Sequence, residues 1–554
     1  MFRTPALIAA LLAALLGLLV ASGREAARAL SVGKGPGHAG NRIERCVTCH
    51  WKSEEDPHGA HSRDALGCTS CHLGNPLAFG KERAHEGLER EPGALSTVAA
   101  TCGQDACHAR ESAHVATSPM ARASGIVAVD RWAFGEIPSP DSAETVADVL
   151  AAAHPTPAEL HVRKLCAGCH LGTRRANRDD AILGNGSGCS ACHVARLKKG
   201  DPPRAHPPID THVSNDRCFG CHSRSGRISL TYEGLTEIEP HQLEDGSLPC
   251  PVPVTLADGR PACRVVPDVH QAAGMSCIDC HVHTELMGDG TARTHEEEQV
   301  EITCEACHGP VREGGEVPWR EVRDEISLEI QNRENRREDL LRKGKRGGGA
   351  PDAPTRLGRR GTPLINLLRN SSSLSSPSSS SSWVLVRKLD GVELPVKQTP
   401  LDRNHTLRGH ERLSCSACHT AWAPTCDTCH TSFDAARTQW DFAAGKQTAG
   451  AWTERSEGFS WGPPLLGVRL DGRIVPAAPG MILDIDATAV DGGKTSRRLL
   501  APAEPHTTGK KARTCESCHR APAAPDFEAG TRIGFRGLNA AERGRVATAR
   551  LEPR

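Results

Sequence analysis

One five-residue pattern recurs along this chain: two cysteines separated by two residues, with a histidine directly after the second cysteine. Two thiols at this spacing can add covalently to the vinyl groups of a porphyrin, and the adjacent histidine then reaches the iron as an axial ligand. The pattern therefore predicts attachment of haem c. It occurs ten times, at Cys46, Cys49 and His50; Cys68, Cys71 and His72; Cys166, Cys169 and His170; Cys189, Cys192 and His193; Cys218, Cys221 and His222; Cys277, Cys280 and His281; Cys304, Cys307 and His308; Cys415, Cys418 and His419; Cys426, Cys429 and His430; and Cys515, Cys518 and His519.

An eleventh site is a stretched variant, in which four residues separate Cys102 from Cys107 and His108 follows directly. The eleven sites use 22 of the 24 cysteines in the chain. Zinc ribbons and disulfide-rich scaffolds also contain paired cysteines, but neither requires a histidine after every pair. The sequence therefore favours about eleven haem groups with their irons.

Cys250 and Cys263 belong to no motif and flank the turn signal Asp258-Gly259. We expect them to form a disulfide, which would stabilise the chain by about 3 kcal/mol according to the loop-entropy model. Free thiols are the alternative.

The second axial ligand of each iron is expected to come from the sixteen histidines that lie outside the motifs. Several of them precede a motif by a few residues, which predicts mainly bis-histidine, low-potential haems. A methionine such as Met120 is a weaker candidate, because His114 competes for the same haem. The selected second ligands are His61, His114, His161, His212, His270, His295, His405, His410 and His506.

The N-terminus has one positive charge, an apolar run from Pro5 to about Ala21 and then small residues, which is typical of a secretory signal peptide. An uncleaved membrane anchor is the minority alternative. Export agrees with haem attachment outside the cytoplasm, so the predicted location is periplasmic or extracellular in a bacterium. The formal net charge of zero gives no reason to expect nucleic acid as a partner.

Only 3% of the residues are aromatic, which is poor material for a large side-chain core. We therefore expect a mostly irregular fold with low regular secondary structure, in which short α-helices surround a covalent haem array and β-hairpins are minor. Helices are predicted from Ser142 to Ala153 and from Pro318 to Lys343, and hairpins around Asp390-Gly391 and Asp471-Gly472. The predicted organisation is a signal peptide (1–23), a flexible lead (24–45), an eight-haem domain (46–310), a charged helix with a Ser-rich linker and hairpin (311–400), a three-haem domain with a β excursion (401–520) and a tail (521–554).

In its motifs the chain resembles the large multihaem cytochromes c, including cytochrome c3-like and extracellular respiratory cytochromes. The resemblance rests on short islands between Cys46 and His519. It implies single-electron transfer along a chain of haems in anaerobic or extracellular respiration. The implied partners are a quinol-oxidising membrane complex or other cytochromes, with a homo-oligomer or filament as a further possibility.

The alternative is an enzyme that converts small nitrogen or sulfur oxyanions at one haem with an open coordination position. Pentahaem nitrite reductases replace a motif histidine by lysine, and no C-x-x-C-K occurs here. Hydroxylamine-oxidising enzymes use a tyrosine near the catalytic haem, and Tyr232 is the only tyrosine of the chain. The sequence thus favours an electron carrier and assigns no catalytic residue.

Overall fold

The structure is a computed structural model of the chain. It describes residues 44–50, 61, 66–174, 187–194, 206–223, 228–238, 242, 250, 252–256, 258–310, 317–321, 354–369, 383–426, 428–469, 471–477, 481–499, 501–519 and 535–536. The chain forms two compact units. Unit 1 combines residues 1–113 with 187–213, and unit 2 combines residues 114–186 with 214–554. Four of the eleven cysteine motifs belong to unit 1 and seven to unit 2.

The helices are short, and most comprise one or two turns. They are Cys46–Cys49, Thr69–His72, Lys81–Ala84, Ala109–Thr117, Pro119–Arg122, Ser124–Ala133, Val146–Ala151, Pro157–His161, Cys189–His193, Asn215–His222, Ile228–Tyr232, Val269–Ala272, Cys277–Cys280, His283–Leu286, Glu296–Gln299, Cys304–His308, Cys415–His419 and Cys515–His519, with a π-helical turn at Val162–Cys166 and 3-10 turns at Val98–Ala100, Ala167–Cys169 and Thr488–Val490.

Unit 2 contains several small sheets. Its strands are β1 (Leu235–Glu237), β2 (Pro253–Thr255), β3 (Pro261–Arg264), β4 (Trp319–Glu321), β5 (Pro354–Arg356), β6 (Leu367–Arg369), β7 (Trp383–Val386), β8 (Glu393–Val396), β9 (Ala423–Thr425), β10 (Thr428–Asp441), β11 (Lys446–Glu457), β12 (Ser460–Gly462), β13 (Leu465–Arg469), β14 (Ile474–Ala477), β15 (Met481–Asp486), β16 (Lys494–Leu499) and β17 (Phe535–Arg536).

The largest sheet has the order β11-β10-β15-β16. The pairing of β10 with β15 is parallel, and the other two pairings are antiparallel. The remaining sheets have the orders β1-β3-β2, β4-β5, β6-β7-β8, β9-β12 and β14-β13-β17. In the described residues of unit 1, the β-structure is limited to the isolated bridges Leu73–Leu88 and Val194–Ile209.

The sheets provide the apolar packing for the motif helices. Trp383, Leu385 and Val396 of the β6-β7-β8 sheet share a buried cluster with Ala306, and Cys280 and Cys307 pack against it. A second cluster places Trp452 of β11 against Trp132, Phe134 and Ala158. Few aromatic residues are available, and Trp383, Trp132 and Trp452 lie in these clusters.

Several expectations agree with the structure. The hairpins around Asp390-Gly391 and Asp471-Gly472 are the antiparallel pairs β7-β8 and β13-β14. Cys250 and Cys263 form the predicted disulfide. Short helices surround most motifs and regular structure is low overall, although the sheets are more extensive than the expected minor hairpins.

Other expectations need correction. The helix predicted from Ser142 spans only Val146–Ala151, because Thr145 and Asp148 form a capping box that fixes a later start. The predicted start of the charged helix at Pro318 is wrong, since the next three residues are strand β4, which pairs with β5. The rest of that helix, the Ser-rich linker and the segment 1–43 with the predicted signal peptide lie outside the described residues.

The predicted haem domains are based on the spacing of the motifs along the sequence, whereas the two compact units are defined by contacts within the fold. The boundaries of the predicted haem domains therefore stay a prediction. Among the described residues, no helix combines the length and apolar character needed to cross a membrane.

Glu301 is a fully buried carboxylate three residues before the motif that starts at Cys304. Burial raises its pKa, but the hydroxyl groups of Thr284 and Thr362 and the Arg360 guanidinium outweigh burial, and the net pKa is lowered. Thr362 donates to Oε1 at 2.7 Å and Arg360 at 3.1 Å. The carboxylate therefore joins the segment before the motif to the β5-β6 region.

We predict that Glu301→Gln lowers the free energy of unfolding by about 1–3 kcal/mol near neutral pH, the range for hydrogen bonds to a charged group. The folded-state pKa is depressed, so this stabilisation is present above the unfolded pKa of about 4.3 and disappears as the pH falls through the folded value. Urea titrations followed by circular dichroism at several pH values measure it. Glu393→Gln, at an exposed position of strand β8, is the control. An equal loss of unfolding free energy in both variants would refute the role of Glu301.

Candidate functional site

Most cysteine motifs lie on a single helical turn, which places both thiols and the histidine beside one another. In four unit 2 motifs a hydroxyl residue just before the first cysteine begins the turn. The hydroxyls of Thr303, Ser414 and Thr514 accept from the backbone N–H three residues later, at 3.1, 3.1 and 3.2 Å. These are N-caps, which satisfy the free N–H groups of a helix start. At Ser276 the direction is reversed, since its N–H and hydroxyl both donate to the Asp279 carboxylate.

Unit 1 starts two of its motif turns in another way, with a glycine of positive φ before the first cysteine. Gly67 precedes Cys68, whose N–H donates to Glu44 Oε2 at 2.6 Å, and Gly188 precedes Cys189, whose N–H donates to the Gly93 carbonyl at 2.8 Å. A Cβ on Gly67 would lie 2.6 Å from Glu44 Oε1 and one on Gly188 2.2 Å from the Gly93 oxygen. Only glycine therefore fits these positions.

Three motifs differ from the single helical turn. Cys102–His108 consists of turns that lead into the helix Ala109–Thr117, and Cys166–His170 spans a π-helical and a 3-10 turn. The motif at Cys426 begins directly after strand β9, and its Cys429 and His430 belong to strand β10, which corrects the expectation of a helix there. The reason is that β10 pairs with β11 and β15, and these backbone hydrogen bonds compete with a one-turn helix.

Six pairs of histidine rings among the described residues share one property: each joins a motif histidine to a histidine outside the motifs. Their ring centroids are 6.0–6.3 Å apart, while their interplanar angles range from 14° to 83°. The pairs, with the motif histidine first, are His50–His85, His108–His61, His72–His206, His308–His270, His281–His506 and His419–His405.

This spacing fits one metal ion between the two rings. A metal–imidazole bond is roughly 2.0–2.1 Å and the ring centre lies about 1.1 Å behind the nitrogen, so two opposed ligands put their centroids about 6.3 Å apart. An ordinary aromatic contact can have any separation between about 4.5 and 7 Å. The six ring separations fall in a narrow range although the ring angles vary. This agrees better with one metal ion between each pair of rings than with aromatic stacking.

The Nδ1 atoms of these rings have partners that leave Nε2 to act as the ligand. His72 and His206 contact the carbonyls of Glu89 and Pro207 at 2.8 and 3.0 Å. In the pair His308–His270 the partners are the Lys397 carbonyl at 2.7 Å and the Asp268 carboxylate at 2.8 Å. A histidine that binds a metal almost always donates its other ring N–H to a carbonyl or carboxylate.

The pair His281–His506 has the same arrangement. His506 Nδ1 lies 2.7 Å from the Glu504 carbonyl, and His281 Nδ1 lies 3.2 Å from Glu285 Oε1. Burial is the main cause that lowers the pKa of His506 to about 4, and electrostatic repulsion from His281 lowers it further. The ring is therefore neutral at physiological pH, which is the protonation state required of a metal ligand.

Neighbouring motifs adjoin through their cysteines. In unit 1 the sulfur atoms of Cys46 and Cys68 and a Glu44 oxygen lie within 4.8 Å of one another. In unit 2 a hydrogen bond to the Cys218 thiol lowers the pKa of Cys277, and a hydrogen bond to the Cys304 thiol raises the pKa of Cys415.

Further contacts extend both series. In unit 1 the Gln104 amide donates to the Ser70 carbonyl at 3.1 Å. The pKa of Cys189 is raised to about 12, mainly by burial and also by the nearby Cys102 thiol. In unit 2, besides burial, Cys307 raises the pKa of Cys280 and Cys518 raises that of Cys418. Each unit thus contains a row of adjoining motifs.

The structure pairs four of the nine selected second ligands, namely His61, His270, His405 and His506. The five others lie outside these six pairs. His161 is buried, with Nδ1 3.1 Å from Asp130 Oδ2 and Nε2 3.5 Å from Glu454 Oε1. His295 Nε2 lies 3.6 Å from Asp141 Oδ1. The other three make backbone hydrogen bonds. The His212 N–H donates to the Asp210 carboxylate, the His410 N–H donates to the Leu407 carbonyl, and the His114 carbonyl accepts from the Thr117 hydroxyl.

His85 and His206 are paired although the sequence did not select them, because they do not closely precede a motif. Proximity in sequence also indicates the wrong site for three others: His61 precedes Cys68 but pairs with His108, His270 precedes Cys277 but pairs with His308, and His506 precedes Cys515 but pairs with His281. No local sequence signal encodes these partners.

Comparison of the chain with family models, curated proteins and solved structures finds no match.

We predict that Glu44→Ala increases hydrogen exchange in the segment 66–73 of the purified protein by roughly fivefold. Glu44 accepts from the N–H groups of Cys68 and Thr69 at 2.6 and 3.0 Å, and losing a helix cap costs about 1 kcal/mol. Exchange measured by mass spectrometry tests this. Glu82→Ala, in the first turn of the exposed helix Lys81–Ala84, is the control. Unchanged protection in the Glu44 variant would contradict the capping role.

Proposed function

We propose that this protein is a multihaem c-type cytochrome that transfers single electrons along adjoining haems. The observation that carries the proposal is the set of six histidine pairs at 6.0–6.3 Å, each with one histidine from a cysteine motif. Zinc ribbons would need thiolates from two motifs around one ion, and they would not produce opposed histidines in this way.

The residues of each motif have separate tasks. The two thiols would hold the porphyrin covalently, and the motif histidine and its paired histidine would both be ligands of the iron. The haem supplies reversible one-electron chemistry at the iron. The protein fixes the ring orientation through the Nδ1 partners, such as the Glu89 and Pro207 carbonyls at the pair His72–His206.

Electron transfer also requires short distances between sites. Groups attached at adjoining thiols are necessarily neighbours. In unit 1, contacts between cysteines and the Gln104–Ser70 hydrogen bond join the motifs at Cys46, Cys68, Cys102 and Cys189. In unit 2, contacts between cysteines join the motifs at Cys218, Cys277, Cys304, Cys415 and Cys515. Tunnelling rates fall steeply with distance, so such rows favour a conduit.

Two observations favour this function over the oxyanion-converting enzyme. Each of the six pairs offers two ligands for one iron, which leaves no position for a substrate at those six motifs. Tyr232 donates its hydroxyl to the Met275 carbonyl at 2.8 Å and is buried, and its ring stands edge-on to His506 at 6.4 Å. It packs beside a second ligand instead of facing an open position.

Export to the periplasm or cell surface and exchange of electrons with a quinol-oxidising membrane complex or other cytochromes are part of the proposal. Export is inferred from the N-terminal sequence and from covalent haem attachment, and the partners are those that the resemblance to multihaem cytochromes c implies. A chain that remains in the cytoplasm would not be loaded with haem c.

We predict about eleven covalently bound haems per chain when the protein is produced in a host with a c-type maturation system. The mass of the intact denatured protein and the pyridine haemochrome spectrum count them, and metal analysis must find iron rather than zinc. A variant with Cys415→Ser and Cys418→Ser should lose one haem, whereas Cys250→Ser with Cys263→Ser should lose none. A chain that carries zinc and no haem would refute the proposal.

We further predict that His206→Ala opens one iron per chain, because it removes the ligand opposite His72. Carbon monoxide should then change the Soret band of the reduced protein by one haem equivalent more than in the wild type, and oxidised samples should gain a high-spin EPR signal. His154→Ala, at an exposed histidine outside the six pairs, is the matched control. Identical carbon monoxide binding in the two variants would contradict the assignment of His206.

A further inference from the structure

The pairs His281–His506 and His308–His270 each have a buried carboxylate at one ring. Resting on the proposed function, we propose that Glu285 and Asp268 are positioning residues that lower the reduction potentials of these two neighbouring haems. The carboxylates act through the histidines and do not contact the iron.

Glu285 is buried, with its side chain 3% exposed. Its Oε1 lies 3.2 Å from His281 Nδ1 in an ion-pair contact, and among the described residues it accepts no hydrogen bond of ordinary geometry. The other oxygen accepts from the Val282 N–H at 3.3 Å at the start of the helix His283–Leu286. The helix therefore fixes the carboxylate beside the motif histidine.

Asp268 is also buried, with its side chain 3% exposed, and it contacts both sites. Oδ1 lies 2.8 Å from His270 Nδ1, and Oδ2 accepts from the Thr508 N–H at 2.6 Å. Val269 N–H donates in turn to the Thr508 carbonyl at 3.0 Å. These two bonds hold the segment that carries His506, whose φ of +54° is unusual for a residue other than glycine.

The two sites adjoin, since Cys280 and Cys307 interact electrostatically. At the pair His72–His206 the Nδ1 partners are backbone carbonyls, which carry no net charge. His405 also contacts a carboxylate, Asp402, at 2.8 Å, but that side chain is 47% exposed and screened by water.

A carboxylate that accepts from a ligating histidine makes the ring more basic and stabilises the more positive, oxidised state of the metal. A low dielectric strengthens this effect, so a buried carboxylate lowers the reduction potential more than an exposed one. Two cations oppose it: Lys388 donates to the Ile278 carbonyl at 2.6 Å, and Arg356 donates to the Cys307 carbonyl at 2.7 Å. Both bind backbone oxygens. Lys388 lowers the pKa of His281 less than Glu285 raises it, and Asp268 lies directly at the Nδ1 atom of His270.

The test uses Glu285→Gln, Asp268→Asn and the matched control Asp402→Asn in the full haem-loaded protein. Each is followed by a spectroelectrochemical titration and by EPR of partly reduced samples. We expect Glu285→Gln to move the midpoint potential of one haem equivalent to a higher value. Asp268→Asn should do the same for a second equivalent and should change the EPR signal of the His506 site, while Asp402→Asn should shift its haem less.

Glutamine has the same shape as glutamate and can still accept from Val282, so Glu285→Gln keeps the test valid even if Asp268→Asn does not fold. Unchanged midpoint potentials in Glu285→Gln with full haem content would overturn the inference while the proposed function stands. An equally large shift in Asp402→Asn would also overturn it, because burial would then have no influence. Absence of haem from the wild type would instead refute the proposed function.

Discussion

The structure depends on one arrangement, in which a motif histidine faces a second histidine from another part of the chain across about 6 Å. At this distance the rings are too far apart to stabilise each other strongly, so the surrounding protein must fix them. It does so through Nδ1: the partners of His72, His308 and His506 are backbone carbonyls, and that of His270 is a buried carboxylate. Much of the irregular backbone of this chain supplies these acceptors.

The same constraint explains the polar character of the buried residues. Glu44, Asp268 and Glu301 are almost fully buried, yet each accepts several hydrogen bonds that fix a segment next to a motif. Buried charges are tolerated when they are compensated in this way. With 3% aromatic residues, the chain has little apolar surface with which to hold its loops, and hydrogen-bonded carboxylates perform part of that task.

Local features of this fold could be predicted from sequence because their determinants are local. Thr303 and Ser414 before their cysteines signal a helix start, and Asp390-Gly391 signals a hairpin. The Cys250–Cys263 disulfide follows from these being the two cysteines left over. In contrast, strand β10 at the Cys426 motif depends on pairing with β15, which follows later in the chain, and the partners of His72 and His281 depend on the tertiary fold. A histidine looks the same in sequence whether or not it faces another, so proximity to a motif selected His161 and missed His206.

The long-range nature of these pairs has a consequence for folding. His281 and His506 belong to distant parts of the chain, and closing such a loop costs conformational entropy that local structure cannot offset. A group bound covalently to one segment and coordinated by the other would act as a cross-link and contribute its binding energy to the folded state. The carbonyl and carboxylate acceptors that orient the rings are of use only when both segments are in place. Under the proposed function, covalent attachment at the cysteines and coordination by the distant histidines would couple cofactor binding to the folding of this chain.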